Sequence, residues 1–229
     1  MALALAAAVS GCGGAKTPTI TVLAAASLTD AFNAEATAYE HQSGVHVRFS
    51  FAGSQDLVAQ LNQGAPADAI ATADLATLEK VTAKLGAPSV FARNRLVIIT
   101  APGNPKHIRT TGDLTRPGLV VVLAAPTVPA GKYATAALQA AHVTVHPRSL
   151  EDNVRGVLTK IELGEADAGI VYTTDAKSAA GKVDTIPLPT SPVASYPAAA
   201  LDSAGQGFVD FLNSEAGQRI LASFGFLPK

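Results

Sequence analysis

Apolar runs of β character alternate with stretches of helical spacing along almost the whole chain, and that alternation limits its fold more than any other feature. Strands separated by helices pair side by side with the helices packed on the sheet faces, so an α/β protein with largely parallel sheets is expected. Candidate strands cover residues 20–23, 45–51, 69–72, 96–101, 119–123, 168–171 and 198–201. Between them, Leu28, Phe32, Ala36 and Tyr39 share one helical face, as do Leu57 with Leu61, and Val154 and Val157 with Leu158 and Ile161. Phe208, Phe211 and Leu212 begin a C-terminal helix whose pattern continues through Ile220 and Leu221.

Two stretches have the character of crossings between lobes. Residues 91–105, FARNRLVIITAPGNP, form a strand that runs into a Pro/Gly loop, and residues 184–201, DTIPLPTSPVASYPAAAL, form a proline-punctuated return path. Two crossings insert a central lobe into an outer one. The expected organisation is a signal and linker over 1–18, an outer lobe of 19–96 plus 195–229, and an inner lobe of 97–194. Open α/β sheets take ligands outside the carboxyl ends of their strands, which makes the cleft between the lobes the expected site.

Composition narrows the partner. Hydrophobic residues at 48% against 15% charged describe a packed globule. With 17 Lys and Arg against 18 Asp and Glu, a net charge of −1 and no run of like charge, the chain lacks the basic footprint of a nucleic-acid binder, so no nucleic acid is expected. A small anion stays open, because dipoles can hold one. The single cysteine, Cys12, follows MALALAAAVSG. That short apolar stretch ending in VSGC looks like a bacterial lipoprotein signal, with Ser10 and Gly11 admitting a peptidase and Cys12 taking the lipid. It is too short to span a bilayer, which needs about 20 residues. No Lys or Arg lies between Met1 and Cys12, so the basic start of such a signal is missing or truncated in this sequence. The expectation is an extracytoplasmic protein, lipid-anchored through Cys12, with no disulfide.

Several helix starts share one chemistry. Ser27 precedes LTD, an S-x-x-D capping pattern, and Ser54 follows the loop FAG. VPAGKYATAAL places Pro129 at the first helical position, where its missing N–H costs nothing, and leaves Ala130 and Gly131 with free N–H groups. SLEDNVRGVL holds Ser149-x-x-Asp152, with Asn153 and Val154 opening the next helix. Each helix N-terminus carries about half a positive elementary charge, so four aimed at one point approach a charge of about +2 and complement a divalent anion without Lys or Arg. Capping alone accounts for any one of these serines; convergence is what would make a site. Tyr172 ends the apolar run in EADAGIVYTTDA, and its phenol either reaches a cleft and donates or rests at a sheet edge. The residues alone leave both open.

Catalysis and resident metals find little support. No G-x-S-x-G elbow is present, Ser27 and Ser54 being followed by Leu28 and Gln55, so a hydrolase is not expected. His142 and His146 lie four apart without a carboxylate or cysteine in ligand spacing and are expected on the surface.

VLAAASLTDAF, FAGSQDLVAQLNQGAPADAIATAD, VPAGKYATAAL, NVRGVLTKIELGEADAGIVYTTDA and SEAGQRILASFGF, in that order over nearly all of the chain after Cys12, resemble the periplasmic molybdate-binding proteins of ABC-type molybdate transporters. The A-A-A-S-L and G-A-P-A-D segments are the more specific signatures. The resemblance implies a two-lobed periplasmic-binding-protein fold of type II, each lobe a mostly parallel sheet flanked by helices, which closes on tetrahedral molybdate or tungstate and docks on a membrane permease. It implies a monomer without cofactor or catalytic residue, molybdenum entering only as the bound oxyanion. By motif, the donors are the hydroxyl and N–H of Ser27 and of Ser54, the N–H of Ala130, the N–H of Val154 and the phenol of Tyr172. The resemblance thus assigns Tyr172 to the ligand. A sulfate or other tetrahedral-oxyanion carrier on the same fold is the alternative. The chain departs from the family at Ala125, where an acidic residue often precedes the proline, and the loop presenting Ala130 is expected to be set differently.

Overall fold

A computed structural model describes residues 17–229; Cys12 and the signal expected around it lie outside the described residues. Two five-stranded sheets make up two lobes. The first sheet contains β1 (Thr19–Ala25), β2 (His46–Ala52), β3 (Ala69–Ala71), β4 (Ser89–Asn94) and β10 (Ala194–Ala200), in the order β2-β1-β3-β10-β4. The second contains β5 (Leu96–Thr100), β6 (Val121–Ala124), β7 (Ser149–Glu151), β8 (Ala168–Tyr172) and β9 (Asp184–Pro187), in the order β7-β6-β8-β5-β9.

Both sheets are mixed. β1 pairs in parallel with β2 and β3, and β6 with β7 and β8, as strand–helix–strand units require. β10 runs antiparallel to β3 and β4, and β5 antiparallel to β8 and β9. Those two reversed strands are the ones that carry the chain out of one crossing and out of the other. Each sits inside its sheet, so half of the pairings are antiparallel although four strands of each sheet share a direction. The crossing at residues 91–105 is accordingly two strands broken at Arg95, and the return over 184–201 is β9 and β10 rather than an irregular path. Asn94, fully buried, ties the first crossing to the end of β8: its amide donates to Thr174 Oγ1 (2.9 Å) and its carbonyl accepts from Thr173 Oγ1 (2.7 Å).

The helices are α1 (Thr29–Ser43), α2 (Ser54–Asn62), α3 (Leu75–Leu78), α4 (Pro129–Ala140), α5 (Val154–Glu162), α6 (Thr173–Ser178), α7 (Ser203–Asn213) and α8 (Glu215–Phe224), with 3-10 turns at Ala26–Leu28 and Thr111–Thr115. The expected helical faces are the buried ones: Leu28, Phe32, Ala36 and Tyr39 pack inward, as do Leu57 and Leu61, and Val154, Val157, Leu158 and Ile161. Phe32 centres the first lobe's core, its ring 5.6 Å from those of Phe49, Phe91 and Phe208. The C-terminal helix is not continuous. Ser214 takes an extended conformation and its Oγ accepts from Gly217 N, which ends α7 and caps α8.

Candidate functional site

The carboxyl ends of six strands, three from each sheet, face one another across a narrow chamber, the lobes lying close enough to leave only about 10 Å³ of free space between them. Ala25 and Ala26, Gly53 and Ser54, and Ala73 line it from the first lobe. Val128 to Ala130, Asn153 and Val154, and Tyr172 line it from the second. Four helix starts therefore meet there: the 3-10 turn that leads into α1, then α2, α4 and α5. No Lys or Arg is among the lining residues. Positive potential comes from backbone N–H groups and helix dipoles, an arrangement suited to an anion.

Ser54, Ala130, Val154 and Tyr172 are thus brought together, while Ser27 stands immediately behind Ala26, off the lining itself. Neither serine caps a helix as expected. Gly53 occupies the N-cap of α2, which makes Ser54 the first helical residue, and Ser54 Oγ accepts from the N–H of Ala73 (3.1 Å). With its oxygen engaged from outside, the hydroxyl keeps its own hydrogen to donate. Ser27 lies within the 3-10 turn, whose N-cap is Ala25, and pairs with the hydroxyl of Tyr196 (3.0 Å). Turn geometry beginning one residue early is what displaces the cap. Ser149 falls in β7 and binds Glu151 Oε1 (2.6 Å), so Asn153 alone caps α5, accepting from Gly156 N at 3.1 Å. Pro129 does occupy the first position of α4.

The loop before α4 is tight in spite of the departure at Ala125. Val128 N donates to Ala125 O (2.9 Å), and Ala125 N donates to Glu151 O (2.9 Å). A Cβ on Gly131 would lie 2.0 Å from Ala125 O, so glycine is what lets α4 start against this loop.

Tyr172, at the carboxyl end of β8, is almost completely buried, and its hydroxyl, beside that of Tyr196, makes no aligned hydrogen bond among the described residues. Burial pushes its pKa well above the ordinary phenol value, which keeps it a donor. An unsatisfied buried O–H beside an anion-favouring chamber is the strongest local sign of a ligand. Its ring meets that of Tyr196 edge-on at 5.6 Å.

Tyr196, fully buried on β10, had no local sequence signal, because its link to Ser27 spans 169 positions. The polar contacts between lobes were likewise out of sight. Lys132 of α4 reaches Asp74 Oδ2 (2.9 Å) and Thr77 Oγ1 (2.8 Å). Gln55 Nε2 donates to Asp152 O (2.8 Å), and Arg155 pairs with Asp30. Asp74 stands next to the lining residue Ala73, and the Lys132 ammonium offsets a carboxylate that would otherwise repel an anion. His142 and His146 are both exposed.

The profile of the bacterial extracellular solute-binding protein family matches residues 20–227. Over 218 residues the chain is 43% identical to the molybdate-binding protein ModA of Mycobacterium tuberculosis strain H37Rv, an alignment covering 90% of this chain and 84% of that protein. Its fold is similar to that of the periplasmic molybdate-binding protein of Azotobacter vinelandii, with a TM-score of 0.79 at 20% identity over 92% of this chain and all of that one. The sulfate-binding protein SubI of Mycobacterium tuberculosis H37Rv is similar in fold as well, with a TM-score of 0.78 at 22% identity over 92% of this chain and 87% of the other. A match running through both lobes and every helix start at the chamber is decisive: the chain belongs to the bacterial extracellular solute-binding proteins, in the family of the molybdate-binding proteins ModA.

Proposed function

We propose that this protein is the extracytoplasmic solute-binding component of an ABC importer, taking molybdate, and tungstate with it, between its lobes and delivering the anion to a membrane permease. The outer lobe, 19–96 with 195–229, brings Ser27 and Ser54; the inner lobe, 97–194, brings Ala130, Val154 and Tyr172. Each serine offers hydroxyl and N–H, Ala130 and Val154 their N–H groups, and Tyr172 its phenol. The observation that carries this proposal is the meeting of four helix starts and an unpartnered buried phenol at a chamber with no basic side chain. Lipid attachment at Cys12 would hold the protein at the membrane surface, within reach of the permease.

Selectivity follows from the donors. A site that only donates leaves the O–H of hydrogen phosphate without an acceptor, and an unpaired buried polar group is costly. Sulfate carries no such proton and must be refused by size, since a chamber closed on longer metal–oxygen bonds holds it loosely.

Calorimetry on refolded, ligand-free protein tests the proposal. Molybdate and tungstate should give strong saturable heats and sulfate a weak one; tight sulfate binding without a molybdate signal overturns it. Replacing Ser27 and Ser54 together by alanine should weaken molybdate binding by at least about 100-fold, two charge-assisted hydrogen bonds at about 1.5 kcal/mol each, with cooperative unfolding retained. Unchanged affinity would remove both serines from the site.

A further inference from the structure

Arg155 follows Val154 directly, yet its side chain is not on the chamber lining. It turns instead to two carboxylates. One is Asp175, fully buried on α6, whose Oδ1 lies 2.8 Å from Arg155 Nε in an ion pair that is not aligned as a hydrogen bond. The other is Asp30 on α1, in the opposite lobe, which pairs with Arg155 Nη2. Each partner is joined to a ligand-bearing segment. Asp175 Oδ2 accepts the N–H of Tyr172 (3.3 Å) and so bears on the end of β8 that presents the phenol. Asp30 stands three residues after Ser27, in the first turn of α1. One guanidinium therefore joins the start of α5, the end of β8 and the start of α1. Its planar fork can serve two carboxylates at once, which an ammonium cannot do with the same fixed geometry.

We propose that Arg155 is a positioning residue and a cross-lobe latch: through Asp175 it sets the Tyr172 end of β8, and through Asp30 it holds the lobes closed over the anion. The inference rests on the oxyanion-binding proposal above. The arm to Asp175 stays within one lobe and persists whether the lobes are open or closed. The arm to Asp30 joins the two lobes and exists only when they meet. Breaking it should speed opening, and with it release, while leaving the encounter of anion with the open cleft unchanged. Burial pushes the Asp175 pKa up to about 6, with the Arg155 charge opposing that rise, which fits a carboxylate dependent on this one cation.

Stopped-flow association and dissociation of molybdate, on wild type, Asp30→Asn, Arg155→Lys and the double variant, provides the test. Asp30→Asn alters a half-exposed surface carboxylate and leaves the Asp175 arm intact; thermal unfolding followed by circular dichroism checks that each variant folds. Asp30→Asn should raise the dissociation rate about fivefold, the scale of one partly exposed charge pair, with the association rate within about twofold of wild type. Arg155→Lys should raise it at least as much, and adding Asp30→Asn to it should have little further effect, since both remove the same contact. An unchanged dissociation rate in Asp30→Asn, or full additivity in the double variant, overturns the latch. Wild-type protein that binds neither molybdate nor tungstate overturns the ligand proposal instead, so the two failures are distinct.

Discussion

Glu35 shows how far one residue can depart from its local pattern. It sits on α1 with no exposed surface, and neither carboxylate oxygen has a hydrogen-bond partner among the described residues. Burial raises its pKa to about 9, so it is held as the neutral acid at pH 7. Between pH 4.5 and 9 the folded chain keeps a proton that the unfolded chain releases, and stability contributed by this group therefore falls as pH rises through that window. Glu35→Leu removes both the unsatisfied oxygens and the titration. Denaturant unfolding at pH 8 should find the variant more stable by about 1–3 kcal/mol, with a smaller gain at pH 5. A variant less stable than wild type at pH 8 would show that the carboxyl has a partner that stabilises it. Tyr172 is likewise buried with no aligned hydrogen bond among the described residues, but it faces a chamber, and that difference is what supports the proposal of a ligand donor there.

At the scale of elements, the proposed anion site has helix starts where other anion sites have charged side chains. Their approach depends on glycine. A Cβ on Gly53, at the N-cap of α2, would lie 2.3 Å from the flexible end of Gln55 and 2.4 Å from the carbonyl oxygen of Asp152 in the other lobe. Gly53→Ala should fold normally, because within its own lobe the new Cβ meets only the movable end of the Gln55 side chain, while the backbone clash arises across the lobes. It should weaken molybdate binding by about tenfold or more by holding α2 away from the start of α5. Calorimetry with a parallel melting curve checks this, and unimpaired affinity would mean that the lobes need not approach as closely as in this structure. Residue spacing made the helices themselves legible, and Pro129 and Asn153 stand at helix starts where local chemistry places them. The caps assigned to Ser27 and Ser54 were not legible. Each serine's preferred partner is a group brought close only by the fold, Tyr196 in one case and Ala73 N in the other.

For the whole molecule, the proposed site makes ligand binding and lobe closure one equilibrium, because residues of both lobes line the chamber. Molybdate at 100 times its dissociation constant should stabilise the folded state by about 2.7 kcal/mol. For a chain of this size that corresponds to a rise of about 5–10 °C in the melting temperature. A thermal scan with molybdate and with chloride at equal ionic strength measures it; no specific shift would count against binding. The sequence alone determined the α/β class, the apolar faces of the main helices and most of the strand ends that line the chamber, since these follow from periodicity and from turn and cap chemistry within a few residues. It did not determine that β5 and β10 run against their neighbours, that Ser149 belongs to a strand, or that the last helix breaks at Ser214. Nor did it determine the pairing of Ser27 with Tyr196 or of Arg155 with Asp30, across 169 and 125 positions. Only the tertiary structure decided those contacts, because a hydrogen bond or ion pair depends on distances of about 3 Å that the chain reaches after both lobes have packed.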